Sequence, residues 1–500
     1  MFIAIAFFAA IVMLFTRRNS ILKSLNCLAL ITVGLTAFYL VYQVFTAGPV
    51  SSFQGLLYWD ALSAFMLSVI VFISGYVILF SFHYMEADIE EGKVSRQRLK
   101  WYYFYIWLFI GTMLLVVSTP NLGILWVGIE GTTLATTLLV GFYRQKQSVE
   151  AAWKYIILCT VGISFALLGT LLLYAASGQI HGYSLATLDW RVLDSLAKNL
   201  DSGLLKLAFL FALVGYGTKI GLVPMHPWLP DAHSQAPSPV SAMLSGVLLN
   251  CAMYAVVRWH ILIRQSVLGP EFSGQFLVAF GIISLGVMVA FILLQKDVKR
   301  LLAYSSVEHM GILALGFGLN NAVAVWGATL HLLLHALTKA NLFVVTGRIV
   351  QKTGTRQILK IRGVISLWPY TGLLLLLGLL AITGTPPFGT FRSKLGILIG
   401  VFQSGRAVLG FLMVLFLTVI FAGFLYHFSS MLFGKPSERI NGGENIKTLW
   451  LAIPVLIVLA VGFFVPEFLD NALLQVVHVV MGGVGNAEPI ARLFAVPTGF

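Results

Sequence analysis

About fourteen apolar runs, each roughly 20 residues long, follow one another along this chain, centred from near residue 9 to near residue 457. A helix of that length just crosses the hydrocarbon core of a bilayer. Lipid offers no partner for a free N–H or C=O, so each run must close its hydrogen bonds within itself. The expected fold is therefore all-α: a polytopic membrane protein of about 14 transmembrane helices. Composition agrees, because 59% of the 500 residues are hydrophobic and only 10% are charged, which excludes an ordinary soluble domain. The net charge of +13 then reads as topology-related and lipid-related charge rather than nucleic-acid binding. Cys27, Cys159 and Cys251 stand singly in apolar segments, with no metal or disulfide spacing. The first run lacks a charged leader and a small-residue cleavage site, so it reads as a retained helix.

Sorting the basic residues by loop gives an orientation. If the loop after the first run is cytoplasmic, that side collects Arg17 to Lys23, Lys93 to Lys100, Arg144 to Lys154, Lys296 to Arg300, Arg348 to Arg362 and Lys435 to Lys447. The other side keeps Arg191, Lys198, Arg258, Arg264, Arg406 and Arg492. Cytoplasmic loops are the lysine- and arginine-rich ones, so the expectation is an inner (plasma) membrane protein with both termini outside the cytoplasm.

Two stretches break the apolar pattern. GYGTKIGLVPMHPWLPDAHSQAPSPVSAMLSG runs from Gly215 to Gly246, with Lys219 inside an apolar helix and Pro224, Pro227, Pro230, Pro237 and Pro239 after it. Each proline removes an N–H and crowds the preceding turn, so the helix breaks at Pro224. The second stretch, LAITGTPPFGTFRSKLG, places Pro386 and Pro387 in an apolar run with Lys394 just beyond. Irregular backbone at membrane depth survives only inside protein or beside a wet cavity, and a lysine there normally faces a partner or water. Two proline-interrupted segments in corresponding halves point to an inverted repeat. The units would be five-helix repeats over residues 101–260 and 275–430. An N-terminal three-helix segment with a cytoplasmic loop, 1–100, and a C-terminal helix and tail, 431–500, flank them. The residues after Phe464 leave no room for a long lateral helix.

The ionisable residues inside the runs are few. Glu130 is an isolated carboxylate; pairing with Lys219 would lower its pKa and offset the lysine's desolvation, and a static ion pair is the plain alternative. His331, His335 and Lys339 recur every four residues and so share one helix face. Zinc and satisfied core histidines are the competing readings. The HLLLH segment lacks the glutamate that a zinc helix carries beside its first histidine. Glu308 and His309 open the tenth run, as gate or helix cap; His226, Asp231 and His233 read as turn and cap residues or a proton entry. The acidic and basic residues from Glu86 to Lys100 form a solvated loop or a docking surface.

LVPMHPWLPDAHSQAPSPVSAMLSG, QKDVKRLLAYSSVEHMG, LHLLLHALTKANLF and ITGTPPFGTF, in that order, resemble the antiporter-like, proton-conducting membrane subunits of complex I, membrane-bound [NiFe] hydrogenases and multisubunit cation/proton antiporters. EAAWKYIILCTVGISFALLGT and SAMLSGVLL look most like the F component of hydrogenase-4-type complexes. The resemblance implies a hydrated chain along the membrane midplane formed by Glu130, Lys219, His331, His335, Lys339 and Lys394. Where many relatives have a lysine or histidine on the eighth span, this chain has Ser245 and Asn250, so transfer there needs water or a neighbouring group. The implied partners are other membrane subunits and a peripheral redox arm, hydrogenase-like or complex-I-like. There is no phosphate-binding glycine loop, no CxxC cluster and no flavin or nicotinamide fingerprint, so no cofactor is expected and redox chemistry belongs to other subunits. Haem would need facing histidines on separate helices, whereas the intramembrane pair shares one. The other function classes are a cation/proton antiporter or inorganic-carbon uptake subunit without a redox partner. H⁺ and Na⁺ both remain open at this level.

Overall fold

The computed structural model describes residues 1–16, 18–436 and 446–483. Arg17, Arg439, Arg492 and much of the 431–500 segment lie outside the described residues. Polar residues between the apolar runs set where helices start. After α1 (Phe2–Phe15), α2 (Asn19–Ala47) and a hairpin of β1 (Val50–Ser52) with β2 (Leu57–Trp59), Asp60 caps α3 (Ala61–Glu90) through the Ser63 N–H. Then α4 (Leu99–Val116) leads to α5 (Leu122–Val140), capped by Asn121, and α6 (Lys146–His181). The short α7 (Trp190–Leu196) precedes α8 (Ser202–Ile220), capped by Asp201.

The first break follows. Gly221, in the left-handed region, ends α8; α9 (Trp228–Gln235) is a short helix within the break. α10 (Ser238–Met243), a π turn over Leu244–Leu248, and α11 (Leu249–Gln265) continue as one span, buried from Ser238 to Ile263. The second half runs through α12 (Gly269–Leu293), α13 (Val298–Gly318), capped by Asp297, and α14 (Ala322–Thr353), capped by Asn321. A single turn, α15 (Val364–Leu367), precedes α16 (Pro369–Thr383), which ends at Gly384; α17 starts only at Gly389 and runs to Gln403. α18 (Ala407–Phe433), α19 (Ile453–Phe463) and α20 (Glu467–Met481) complete the described chain.

The span containing α10 and α11, together with α14, forms the buried centre, and α2 and α18 keep mostly exposed apolar faces. Among the described residues, ten helices are long and apolar enough to cross a bilayer, or eleven if α19 and α20 count as one bent span. The difference from about fourteen has physical causes. α1, α16 and α17 have only 14 or 15 residues, and α13 carries Lys299, Arg300 and Glu308.

Two features depart from the sequence reading. α20 turns by 83° from α19, so the described C-terminal segment holds two short helices rather than one. Leu473, Val476, Val477 and Val480 make its buried stripe, and the Trp326 indole N–H donates to Asp470 at 2.9 Å. Lys299 is not a loop residue: it is buried in the first turn of α13 and donates to the Ala236 carbonyl at 2.6 Å.

Candidate functional site

Lys219 lies in the last turn of α8, where a cation meets unpaired helix carbonyls, and its side chain is fully buried. Its ammonium donates to Thr133 Oγ1 at 2.8 Å and to the Tyr155 hydroxyl at 2.7 Å. Thr133 in turn donates to Glu130 Oε2 at 3.1 Å, and Thr160 donates to Oε1 at 3.1 Å. The expected direct pairing of Glu130 with Lys219 is therefore corrected: the Thr133 hydroxyl stands between them. Tyr155 extends the group to Thr136 Oγ1 at 2.7 Å. Glu130 itself is half-buried on α5.

The second cluster joins α13, α14 and α17. Gly327 allows it: a Cβ there would sit 2.9 Å from both Ser393 O and the Ile397 N, so only glycine lets α14 and α17 approach this closely. The crossing brings His331 Nδ1 to 2.8 Å from Ser393 Oγ. On its other side His331 Nε2 lies 2.7 Å from His309 Nδ1, and His335 packs at a tilt against His309, with 5.2 Å between ring centroids. Glu308 Oε1 is 3.6 Å from Lys394 Nζ and 3.9 Å from His309 Nε2. Lys394 crosses the second break to reach the Ile382 and Thr383 carbonyls, at 3.3 and 3.2 Å. Gly384, at φ 79°, leaves room for it, since a Cβ would lie 2.9 Å from the Lys394 Cδ.

Glu308 and His309 thus occupy the middle of α13 rather than a helix opening, because Asp297 starts that helix more than two turns earlier. Lys339 donates to the Leu302 carbonyl at 2.8 Å. The same carbonyl accepts from Ser306, whose hydroxyl meets Ser245 on the π turn at 2.7 Å. Ser245 and Lys339 are so connected through Leu302. Asn250 stands apart, donating to the Gly246 and Leu332 carbonyls at 2.8 and 3.3 Å. Among the described residues, no hydrogen bond joins the Lys219 group to Ser245. His226 packs edge-on against Phe291, and His233 lies stacked on Phe343.

The chemistry follows from the contacts. Ser393 donates to Thr390 O at 2.9 Å, which lets its oxygen accept from His331 Nδ1–H. His331 Nε2 is then free to accept from His309 Nδ1–H, leaving His309 Nε2 bare beside Glu308. A proton arriving at that nitrogen passes through His309 to His331, while Ser393, its own O–H held on the Thr390 carbonyl, orients the His331 ring. His309 and His331 also face each other from separate helices, unlike the pair on α14 alone, but their direct contact leaves no space for a haem between them. Among the described residues, no group of three or more His, Cys, Asp or Glu is placed to hold a metal ion.

Sequence reasoning missed Thr133, Tyr155, Ser393 and the Leu302 carbonyl. Their residue types are common in apolar helices, and only the fold makes them partners. It also missed a polar group at the opposite end of the bundle from Lys93. There Arg258 is bound at both nitrogens to Asp60, with Nη1 at 2.7 Å from Oδ2. Burial would raise the Asp60 pKa, but Arg258 holds it below the ordinary value. Asp194 lines the same cavity of about 210 Å³, and burial pushes its pKa up to about 6.

Helices interrupted beside buried lysines, around a centre of histidines, define a class of polytopic membrane protein with a polar interior. The chain belongs to the NADH:quinone oxidoreductase/Mrp antiporter transmembrane family, whose model matches residues 119–421. The complex I chain 5 N-terminus family matches residues 51–93. The chain is 39% identical over 409 residues to a hydrogenase-4 component F homolog of Methylacidiphilum infernorum (isolate V4), covering 81% of this chain and 85% of that one. It is 32% identical to NADH-quinone oxidoreductase subunit N of Desulforudis audaxviator (strain MP104C), over 67% of this chain and 66% of the relative. A chain in the structure of the membrane-bound sulfane sulfur reductase, an archaeal respiratory membrane complex, superposes with TM-score 0.85 at 25% identity, over 96% of this chain and 97% of that one.

Proposed function

We propose that this chain moves protons across the membrane as a subunit of a redox-driven complex. The observation that carries the reading is the imidazole–imidazole–hydroxyl contact His309–His331–Ser393, buried from end to end. The route runs from Glu130 through Thr133 to Lys219, then through water to Ser245 and Ser306. It continues to Lys339 and His335, crosses His331 and His309, and leaves through Glu308 to Lys394 at the break at Pro386 and Pro387. Lysines at three stations repel a metal cation but take and release a proton, which favours H⁺ over Na⁺.

About fourteen spans arranged as two inverted five-helix units, 101–260 and 275–430, suit this route. In support, each broken helix ends on a left-handed glycine, Gly221 or Gly384, with Lys219 or Lys394 beside it. The setting is the inner (plasma) membrane with both termini outside the cytoplasm. Partners are further membrane subunits and a hydrogenase-like or complex-I-like arm that carries the redox centres.

The test is proton uptake by the purified complex in proteoliposomes, normalised to complex abundance. His331→Phe keeps the ring volume but cuts the relay, and proton movement per complex should fall at least about tenfold. Unchanged uptake at normal abundance overturns the relay. Purification without iron–sulfur partners, with antiport activity retained, would replace the redox-driven reading with an antiporter.

A further inference from the structure

Two cavities share a wall at the end of the bundle that carries Lys93 and Arg144. The first, about 1000 Å³, is lined by Arg18, Arg96, Arg98, Lys100 and Arg144, with no carboxylate among its described lining residues. The second, about 610 Å³, lies between α4, α5 and α6 and is lined mainly by apolar side chains, Leu138 and Ile156 among them. Arg98, Trp101 and Arg144 border both. The cavities meet at these three residues, one cationic and the other apolar.

The cations of this cleft are not neutralised from within. Among the described residues, none of the five forms an ion pair with a carboxylate, although the nearby Lys23 and Lys93 are paired with Glu86 and Glu91. Arg98 donates to the Phe142 carbonyl and lies 4.9 Å over that ring, which fixes the guanidinium at the junction of the two cavities. Five like charges around one cleft repel one another, and a phosphate between them relieves that repulsion. The apolar half decides between a free phosphate and a lipid. It opens between spanning helices and is flanked by the exposed indoles of Trp101 and Trp153, side chains that favour the membrane–water boundary. Only a molecule with phosphate at one end and hydrocarbon at the other fills both parts.

We propose that this double cavity is a binding site for an anionic phospholipid. Its phosphate sits among Arg18, Arg96, Arg98, Lys100 and Arg144, and the start of an acyl chain lies along α5 and α6 between Trp101 and Trp153. The site shares α5 with Glu130 but includes none of the residues of the Glu130–Lys394 line, and it does not depend on what that line conducts.

The experiment uses the intact complex, stripped of loose lipid and equilibrated with vesicles of equal phosphatidylglycerol and phosphatidylethanolamine, then with cardiolipin in place of phosphatidylglycerol. Lipid retained after washing is quantified by mass spectrometry. The anionic lipid should be enriched roughly tenfold, and Arg98→Gln with Arg144→Gln should remove most of that enrichment. Lys93→Gln, at a paired lysine outside the cleft, should leave it in place. In the unmutated background, a photo-reactive residue at Trp153 should gain the mass of a lipid. Equal retention of both lipids overturns the proposal. Cross-linking of position 153 to another subunit overturns it too, because the groove is then a protein interface.

Discussion

A buried ammonium needs acceptors, and Lys219 finds two neutral hydroxyls before it finds a carboxylate. That arrangement differs from a contact ion pair. With Thr133 between them, Lys219 and Glu130 feel each other through a group that both accepts and donates, so charge at one end orients the hydroxyl toward the other. Thr133→Val keeps the branched shape and deletes that group. Leaving the ammonium short of one acceptor costs more than the about 1–3 kcal/mol of a neutral group, but the Tyr155 hydroxyl still accepts from it. The expected result is near-normal complex abundance with proton movement reduced about tenfold or more, read per complex in proteoliposomes. Loss of protein with normal transport by the surviving complexes would make Thr133 a brace. The charged stations were legible in the sequence because an ionisable side chain in an apolar run has few reasons to be there: Glu130, Lys219, Lys339 and Lys394 stood out at once. Thr133 and Ser393 were not, since hydroxyls in membrane helices usually satisfy themselves on the preceding turn, as Thr170 and Ser177 do here.

At the scale of elements, the two breaks and the glycine crossing place the residues. Proline spacing announced both breaks, because its effect on a helix is local and needs no tertiary knowledge. The π turn at Leu244–Leu248 and the sharply bent α20 gave no such warning. One packs against α3 and α14; the other is too short and too polar-edged to register as an apolar run. Nor did the sequence foretell that His309 would face His331, which depends on how α13 and α14 meet. The crossing of α14 with α17 is the element most exposed to a single change. A side chain at Gly327 must push against Ser393 O and Ile397 N, which are backbone and cannot turn aside. Gly327→Val should therefore separate the helices and pull Ser393 from His331, with a stability loss of about 1–3 kcal/mol from overpacking. A lower unfolding temperature of the detergent-purified protein, together with lost proton movement, is the expected pair of readouts. An unchanged unfolding temperature would mean that the helices part easily there, and that close packing does not hold the relay.

Across the whole molecule the charges are unevenly divided. One end carries the cationic cleft around Arg98 and Arg144, together with Lys93, Lys296 and Lys360. The other carries Asp60 and Asp189, which hold Arg258 and Arg191 in ion pairs and so spend much of the basic charge present there. Pairing sharpens the asymmetry beyond what the loop count suggests, because an arginine locked to aspartate adds little net charge to its end. Basic loops stay on the cytoplasmic side, so the end with Lys93 and Lys360 should face the cytoplasm and the hairpin of β1 and β2 the outside. Single cysteines test this directly. Lys93→Cys and Lys360→Cys are both exposed, as is Gln54→Cys between the two strands. Cys159 and Cys251 are buried, and Cys27 is replaced beforehand to clear the background. In intact cells a membrane-impermeant maleimide should label position 54 and spare 93 and 360; in inverted vesicles the pattern should reverse. The opposite pattern would put the cationic cleft on the outer surface and turn the proton route around, with Lys394 and the second break keeping their geometry but conducting in the other sense.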